Sequence, residues 1–322
     1  MLINPLIAVR DIHFVSSVIV AGIVFFNQFI AAPVLRANMQ VTGTAASFGD
    51  RTRRILWISL ILSLASAFAW LCLLSARIVS KPVDEVIADG TIWTVLSRTQ
   101  FGFAWEMRFL FGFVLAASLL RRRTETATWQ AIARTLMAAA YLGSLAFAGH
   151  GAEGLGFDRS IHLAADFLHL IGAGLWLGGL IPLVLLLSGL RRFREEGWVS
   201  AACDVAGRFS NLGILAVGVL LASGTINASF LVGGLPNLTE TRYGRLLLLK
   251  VTLFAAMVCL AAINRQFLLP RLWGEVGIDQ PRTVQSLVRS ALVEIALGLG
   301  IVLIVGILGI TAPANDMATH LH

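Results

Sequence analysis

The chain has 322 residues, of which 57% are hydrophobic and only 13% charged. A soluble domain carries roughly 25% charged residues, so this chain cannot cover a water-facing surface over most of its area, and lipid is its natural solvent. The net charge of +7 does not point to nucleic acid, because no basic, aromatic-interleaved soluble segment is present and basic loop residues set the topology of a membrane protein.

The apolar runs predict an all-α polytopic membrane protein with about eight transmembrane helices of ~20 residues. Spans are expected near 6–32, 55–77, 101–120, 131–149, 163–187, 205–227, 246–268 and 287–310. Helices are required because lipid cannot satisfy backbone polar groups, and the runs exceed the ~10-residue alternating strands of a membrane barrel. The first run contains Arg10, Asp11 and His13. It is too long for a signal peptide and has no basic region before it. Between spans 2 and 3, Ile92, Trp93 and Leu96 suit either a short interfacial helix or a plain loop.

Basic residues orient the spans. The 1–2, 3–4, 5–6 and 7–8 connections hold sixteen of the 25 Lys and Arg, among them Arg51, Arg53, Arg54, Arg121, Arg122 and Arg123. The other side holds nine, from Arg10 to Lys250. Both termini are therefore expected on the outer side, with the 1–2, 3–4, 5–6 and 7–8 connections cytoplasmic. Cys72, Cys203 and Cys259 are widely separated and predict no disulfide framework.

An internal four-plus-four duplication is expected, with residues 1–150 as the first repeat, 160–310 as the second and 311–322 as a tail. Thr99 to Gly102 with Arg108 matches Thr241 to Gly244 with Lys250. His13 and Gly22 match His169 and Gly178; Leu64-Ala65-Ser66 matches Leu221-Ala222-Ser223; Arg134 and Gly143 match Arg289 and Gly298. Four spans per repeat give both halves one orientation, so a pseudo-two-fold axis along the membrane normal is predicted, with a site between the halves.

The six histidines, His13, His150, His162, His169, His320 and His322, all fall on the predicted outer side. His162, Asp166 and His169 follow i, i+4, i+7 and share one helix face. The two imidazoles are about 10 Å apart along the axis, too far to hold one metal together, so Asp166 either bridges between them or orients one ring. Ionisable groups inside spans are costly and mark function by default. His13 and His169 are expected to face each other across the axis. Imidazole suits copper and zinc, and Met or Cys sulfur favours Cu(I), which makes Cys72 and Met107 candidate soft ligands. His320 and His322 with Met317 form either a metal-collecting tail or a disordered end. Glu106 and Arg108 are expected to pair or face the interior, with Lys250 in Arg108's place in the second half. Glu294 reads either as a proton-linked carboxylate or as a partner for Arg289. Asn211, Asn227 and Asn264 read as interhelical hydrogen-bonding groups. No phosphate-binding loop, catalytic triad order or HExxH is present, so no enzyme activity is expected.

The segment from His162 to Leu180, with Asp166, His169, Gly172, Gly174, Trp176, Gly178 and Gly179, resembles the CopD/PcoD family of copper-resistance inner-membrane proteins. Arg208-Phe-Ser, Ser223-Gly-Thr-Ile-Asn227, Thr241 to Lys250 and Asn264-Arg265 before Pro270 agree. The resemblance implies copper handling in the bacterial inner membrane and a separate periplasmic copper-binding partner of the CopC type. The expected function is copper homeostasis and resistance, with copper ions taken at the outer face and moved across the membrane. His13, His150 and His169 are the first expected ligands, then His162 and Asp166. Two alternatives stand beside it: a b-type haem oxidoreductase with His13 and His169 as axial ligands, and a copper-binding platform that does not transport.

Overall fold

A computed structural model describes residues 4–37, 42–120, 128–149, 156–189, 197–274 and 280–315. Its described residues are helical and contain no strand. Eight helical segments are long and apolar enough to cross a membrane. They are span 1 (Pro5–Ala37), span 2 (Ala45–Val79), span 3 (Gln100–Leu120), span 4 (Thr128–Ala148), span 5 (Gly156–Gly189), span 6 (Trp198–Val232), span 7 (Arg242–Leu272) and span 8 (Arg282–Leu308). The protein is an all-α polytopic membrane protein. Most spans run several residues beyond the apolar stretches that mark them, because a helix continues past the lipid until a turn residue ends it. Arg121, Arg122, Arg123, Arg191, Arg192 and Arg194 lie outside the described residues.

Helix starts follow local chemistry. Asn4 Oδ1 accepts from Leu6 N at 3.0 Å, and Pro5 occupies the first turn, where its missing N–H costs nothing. Thr99 and Thr241 each accept from the N–H of the glycine three residues on, at 2.9 Å in both cases. Each threonine hydroxyl also donates to a carbonyl four residues back, Val95 O at 2.7 Å and Asn237 O at 2.6 Å. Gly102 and Gly244 lie against the backbone of the preceding short helix, so a Cβ at either position would strike main-chain atoms.

Three spans contain a π-helical turn: Asn27–Ala31, Gly174–Gly178 and Asn264–Leu268. Each is followed within four residues by a proline, Pro33, Pro182 and Pro270. Proline cannot donate to the carbonyl four residues earlier and its ring crowds that group. The widened turn accommodates the missing bond.

Spans 1 and 5 pack side by side, and each also packs on the spans of its own half: span 1 on spans 2 and 4, span 5 on spans 6 and 8. Span 1 crosses to span 8, and span 5 to span 4. The start of span 1 meets the end of span 8, where Arg10 donates to Gly309 O at 2.7 Å. That face is called the termini end below. Gly22 and Gly178 form the closest approach of spans 1 and 5. A Cβ on Gly22 would collide with Gly178 backbone and come within 2.7 Å of Gly174 O. We expect Gly22→Ala to push the two halves apart and cost about 1–3 kcal/mol, the usual range for overpacking. A thermal unfolding curve in detergent reads this, and an unchanged midpoint would show that the contact does not hold the halves together.

Residues Thr91–Arg98 form a helix, with Trp93 71% exposed, so the segment between spans 2 and 3 is the amphipathic helix rather than a plain loop. Gly90, at φ 77°, makes the left-handed turn before it. The Lys81 ammonium donates to Asp89 Oδ2 at 2.6 Å. Lys81, then the Thr91 hydroxyl and N–H, hold the Asp89 carboxyl well below the usual carboxylate range. Any stability from this group is present above the ordinary carboxylate pKa and lost as pH falls through its lowered folded value. The pair is at the surface and screened, so we expect Lys81→Ala to leave the unfolding midpoint unchanged.

Candidate functional site

In the first half, span 1 carries His13, Ser16 and Ser17; span 2 carries Ser63, Ser66 and Trp70; span 3 carries Trp105 and Arg108; span 4 carries Tyr141 and Ser144. His13 and Arg108 are both fully buried. His13 Nδ1 lies 2.9 Å from Ser63 O and 3.0 Å from Ser66 Oγ. A carbonyl only accepts, so these partners place the proton on Nδ1. Nε2 then keeps the lone pair, and Arg108 Nε donates to it at 2.6 Å. Arg108 also donates to Tyr141 O at 2.6 Å, to Ser144 Oγ at 3.0 Å and to Ser17 Oγ. Its guanidinium lies over the Tyr141 ring, 4.3 Å from the centroid. Trp70 and Trp105 enclose His13, at 5.7 and 6.2 Å between ring centroids. Ser17 donates to His13 O at 2.7 Å, and its oxygen is 2.8 Å from Ser63 Oγ, which is 2.6 Å from the Tyr141 hydroxyl. The network holds the imidazole neutral and caps both of its nitrogens.

The second half has a different arrangement. His169 Nδ1 is 3.0 Å from Ser223 Oγ. Ser223 donates to Val219 O at 2.6 Å, so its oxygen accepts from the Nδ1–H of His169. This leaves Nε2 with the lone pair and no hydrogen-bond partner among the described residues. One turn toward the termini end, Asp166 Oδ1 accepts from Asn227 Nδ2 at 2.6 Å. Its Oδ2 is 3.9 Å from His162 Nε2, so Asp166 orients toward His162 as the i, i+4 spacing predicts. His162 stacks on Phe230 at 4.9 Å. Lys250 of span 7 is near enough to act electrostatically on both Asp166 and His169. Gly149 lies beside Asp166: a Cβ there would be 3.8 Å from Oδ2.

Several sequence expectations are corrected. His13 and His169 do not face each other. Each points away from the contact between spans 1 and 5, toward spans 2 and 3 or span 6, because the serine that takes its Nδ1 proton lies there. Arg108 faces the interior, but Glu106 is exposed, since residues two apart on a helix point to opposite sides. Glu294 takes neutral partners, Trp176 Nε1 at 3.3 Å and Asn264 Nδ2 at 2.7 Å, rather than Arg289. Cys72 is buried and Met107 half-buried. Among the described residues no three of His, Cys, Asp and Glu converge as metal ligands. His150, His320, His322 and Met317 lie outside the described residues. A pair of axial imidazoles would need a free nitrogen from His13, and Arg108 occupies it. Sequence reasoning missed the serines, although Ser59, Ser63 and Ser66 repeat the i, i+4, i+7 spacing of His162, Asp166 and His169.

At the termini end, a cavity of 490 Å³ opens among Arg10, Trp70, Arg77, Phe101, Phe147 and Gly149. It connects the ends of spans 1 to 4 with the turn after span 8.

Comparison with known proteins agrees over both halves. The family described as "Copper resistance protein D-like, N-terminal domain" matches residues 1–161, and that described as "Copper resistance protein D" matches residues 204–308. The chain is 30% identical to "Inner membrane protein YebZ" of Escherichia coli over 308 residues, covering 95% of this chain and 98% of that one. It is 30% identical to "Copper transport protein CutJ" of Bacillus subtilis over 302 residues, 91% of this chain and 50% of that longer one. It is 27% identical to "Copper resistance protein D" of Pseudomonas syringae over 316 residues, 97% and 98%. No solved structure gives a significant match. With near-complete coverage of two such relatives and family matches on either side of the central connection, the chain belongs to the copper resistance protein D family.

Proposed function

We propose that the protein moves copper ions across the bacterial inner membrane and takes them at the termini end through His169, with Asp166 and His162 leading to it. The observation that carries this reading is the state of the two deep imidazoles. Nε2 of His13 is capped by Arg108, while Nε2 of His169 has no hydrogen-bond partner among the described residues. A ligating histidine normally donates its other ring N–H to a fixed acceptor, and Ser223 is such an acceptor. Imidazole nitrogen suits copper of either charge. Lys250 nearby opposes long residence of a cation, which favours passage over storage. The family and the relatives named for copper transport and the inner membrane support the cargo and the compartment. A separate periplasmic CopC-like protein is the proposed donor, and both termini are proposed to be periplasmic.

The same reading takes the eight spans as two related four-span units about an axis along the membrane normal. The matched pairs His13–Ser66 and His169–Ser223, both at 3.0 Å, support it, as do the matched glycines Gly22 and Gly178 in mutual contact. The first unit keeps the fold and the second handles the ion.

The test is copper uptake by proteoliposomes holding the purified protein. Uptake by wild type that His169→Ala abolishes supports transport through this site. Copper binding without uptake would instead make the protein a binding platform.

A further inference from the structure

Glu294 is 2% exposed and sits in span 8, on the side of the bundle away from the termini end. Among the described residues it forms no ion pair. Its Oε2 accepts from Trp176 Nε1 at 3.3 Å and its Oε1 from Asn264 Nδ2 at 2.7 Å. Both donors come from π-helical turns, Trp176 from Gly174–Gly178 and Asn264 from Asn264–Leu268. Such turns often mark functional positions in helices. The carboxyl group borders a cavity of 240 Å³ between spans 5, 6, 7 and 8, which also touches Ser210, Arg265 and Gln266.

A buried carboxylate without a cation is costly to keep charged. The other charged groups around it are accounted for. Arg265 is the one cation lining the cavity among the described residues; it is exposed, its Nη1 donates to Ser210 Oγ at 2.8 Å and Asn211 Oδ1 at 2.9 Å, and it forms no salt bridge with Glu294. Span 5 contributes no titratable side chain beside the cavity, Arg208 of span 6 lines a different cavity, and Arg289 of span 8 does not line this one. Asn264 has a second feature: its Oδ1 is buried and has no hydrogen-bond partner among the described residues. In the orientation seen, the amide donates to a carboxylate. Turned over, it offers Oδ1 to the O–H of a carboxylic acid. Trp176 can donate to either form. Each charge state of Glu294 therefore has a matching amide orientation at Asn264.

We propose that Glu294 is a proton-binding site, reached through the cavity between spans 5 and 8, whose loading and unloading is coupled to copper movement. On loading, one proton from bulk solvent (a hydronium ion, which becomes water) reaches the carboxylate through the cavity, a neutral acid forms, and Asn264 reverses its amide; release returns the proton to solvent and restores the anion. The coupling rests on the copper-transport reading above, whereas proton binding stands independently of it.

Two measurements on the full chain in proteoliposomes test this. The first is an infrared difference spectrum between acid and alkaline pH, followed at the C=O stretch of protonated carboxyl groups, for wild type and Glu294→Gln. The substitution keeps the shape and the contact with Asn264 but cannot take up a proton. A wild-type band that vanishes in Glu294→Gln is expected, and the same band in both proteins overturns the proton site. The second is copper flux with and without an imposed pH gradient. The wild-type flux is expected to respond to the gradient and that of Glu294→Gln not to respond. An equal response in both overturns the coupling. If wild type moves no copper at all, the transport reading fails, and the infrared band still decides the proton site.

Discussion

Replacing Arg108 by alanine is expected to destabilise the protein by about 3–5 kcal/mol, because breaking a buried hydrogen-bond network is among the few mechanisms with effects that large. The side chain is fully buried and donates to His13 Nε2, Ser17 Oγ, Tyr141 O and Ser144 Oγ. These acceptors belong to spans 1 and 4, while Arg108 itself stands on span 3. Its loss leaves four buried acceptors short of a donor, and hydrogen bonds to charged groups are individually worth about 1.5–3 kcal/mol. Arg108→Lys keeps the charge but not the planar fork that reaches several acceptors at once, so its cost should be intermediate. Trp70 and Trp105 border the network, which makes tryptophan fluorescence during thermal unfolding in detergent the direct readout. A loss below about 1 kcal/mol, ordinary for a surface change, would mean the network does not hold the first half together.

The second large effect separates the two histidines. His169→Ala should reduce copper uptake at least tenfold while leaving the unfolding midpoint near that of wild type. A tenfold change corresponds to about 1.4 kcal/mol of binding free energy, modest for the loss of a metal ligand. His13→Ala should do the reverse. It removes the acceptor for Arg108 Nε and the donor to Ser63 O, so the protein loses stability first and transport only in proportion to the folded fraction. Ser223→Ala should weaken copper binding roughly tenfold, as the loss of a group that orients a ligating imidazole usually does. Uptake that fell equally in His13→Ala and His169→Ala, at unchanged stability in both, would return His13 to the ion path.

Much of the architecture was legible in the residues. All eight spans could be placed, because lipid demands long apolar helices and the composition leaves no other solution. Span ends were less legible, since hydropathy marks the part of a helix in lipid and not where the helix stops. The π-helical turns had a readable cause in Pro33, Pro182 and Pro270, but the sequence alone does not say whether a proline kinks a helix or widens its preceding turn. The matched positions His13 and His169 were legible, and so were Arg108 and Lys250. What each matched pair does was not. Arg108 reaches His13 Nε2, while Lys250 makes no hydrogen bond to His169 Nε2, which has no partner among the described residues. Side-chain length, the fork of the guanidinium and the rotation of each helix decide that difference, and no spacing rule contains them.

Sequence alone thus determined that this is a helical membrane protein with His13, His162 and His169 inside its spans, because solvent preference and helical periodicity act on residues one element at a time. Tertiary structure decided which partners each histidine meets among the described residues. It turned His13 into the first half's serine and arginine network and left His169 on a serine with one nitrogen open. It also gave Glu294 two neutral partners from separate spans. The availability of a lone pair depends on what other helices bring within ~3 Å of it, and that is a property of packing.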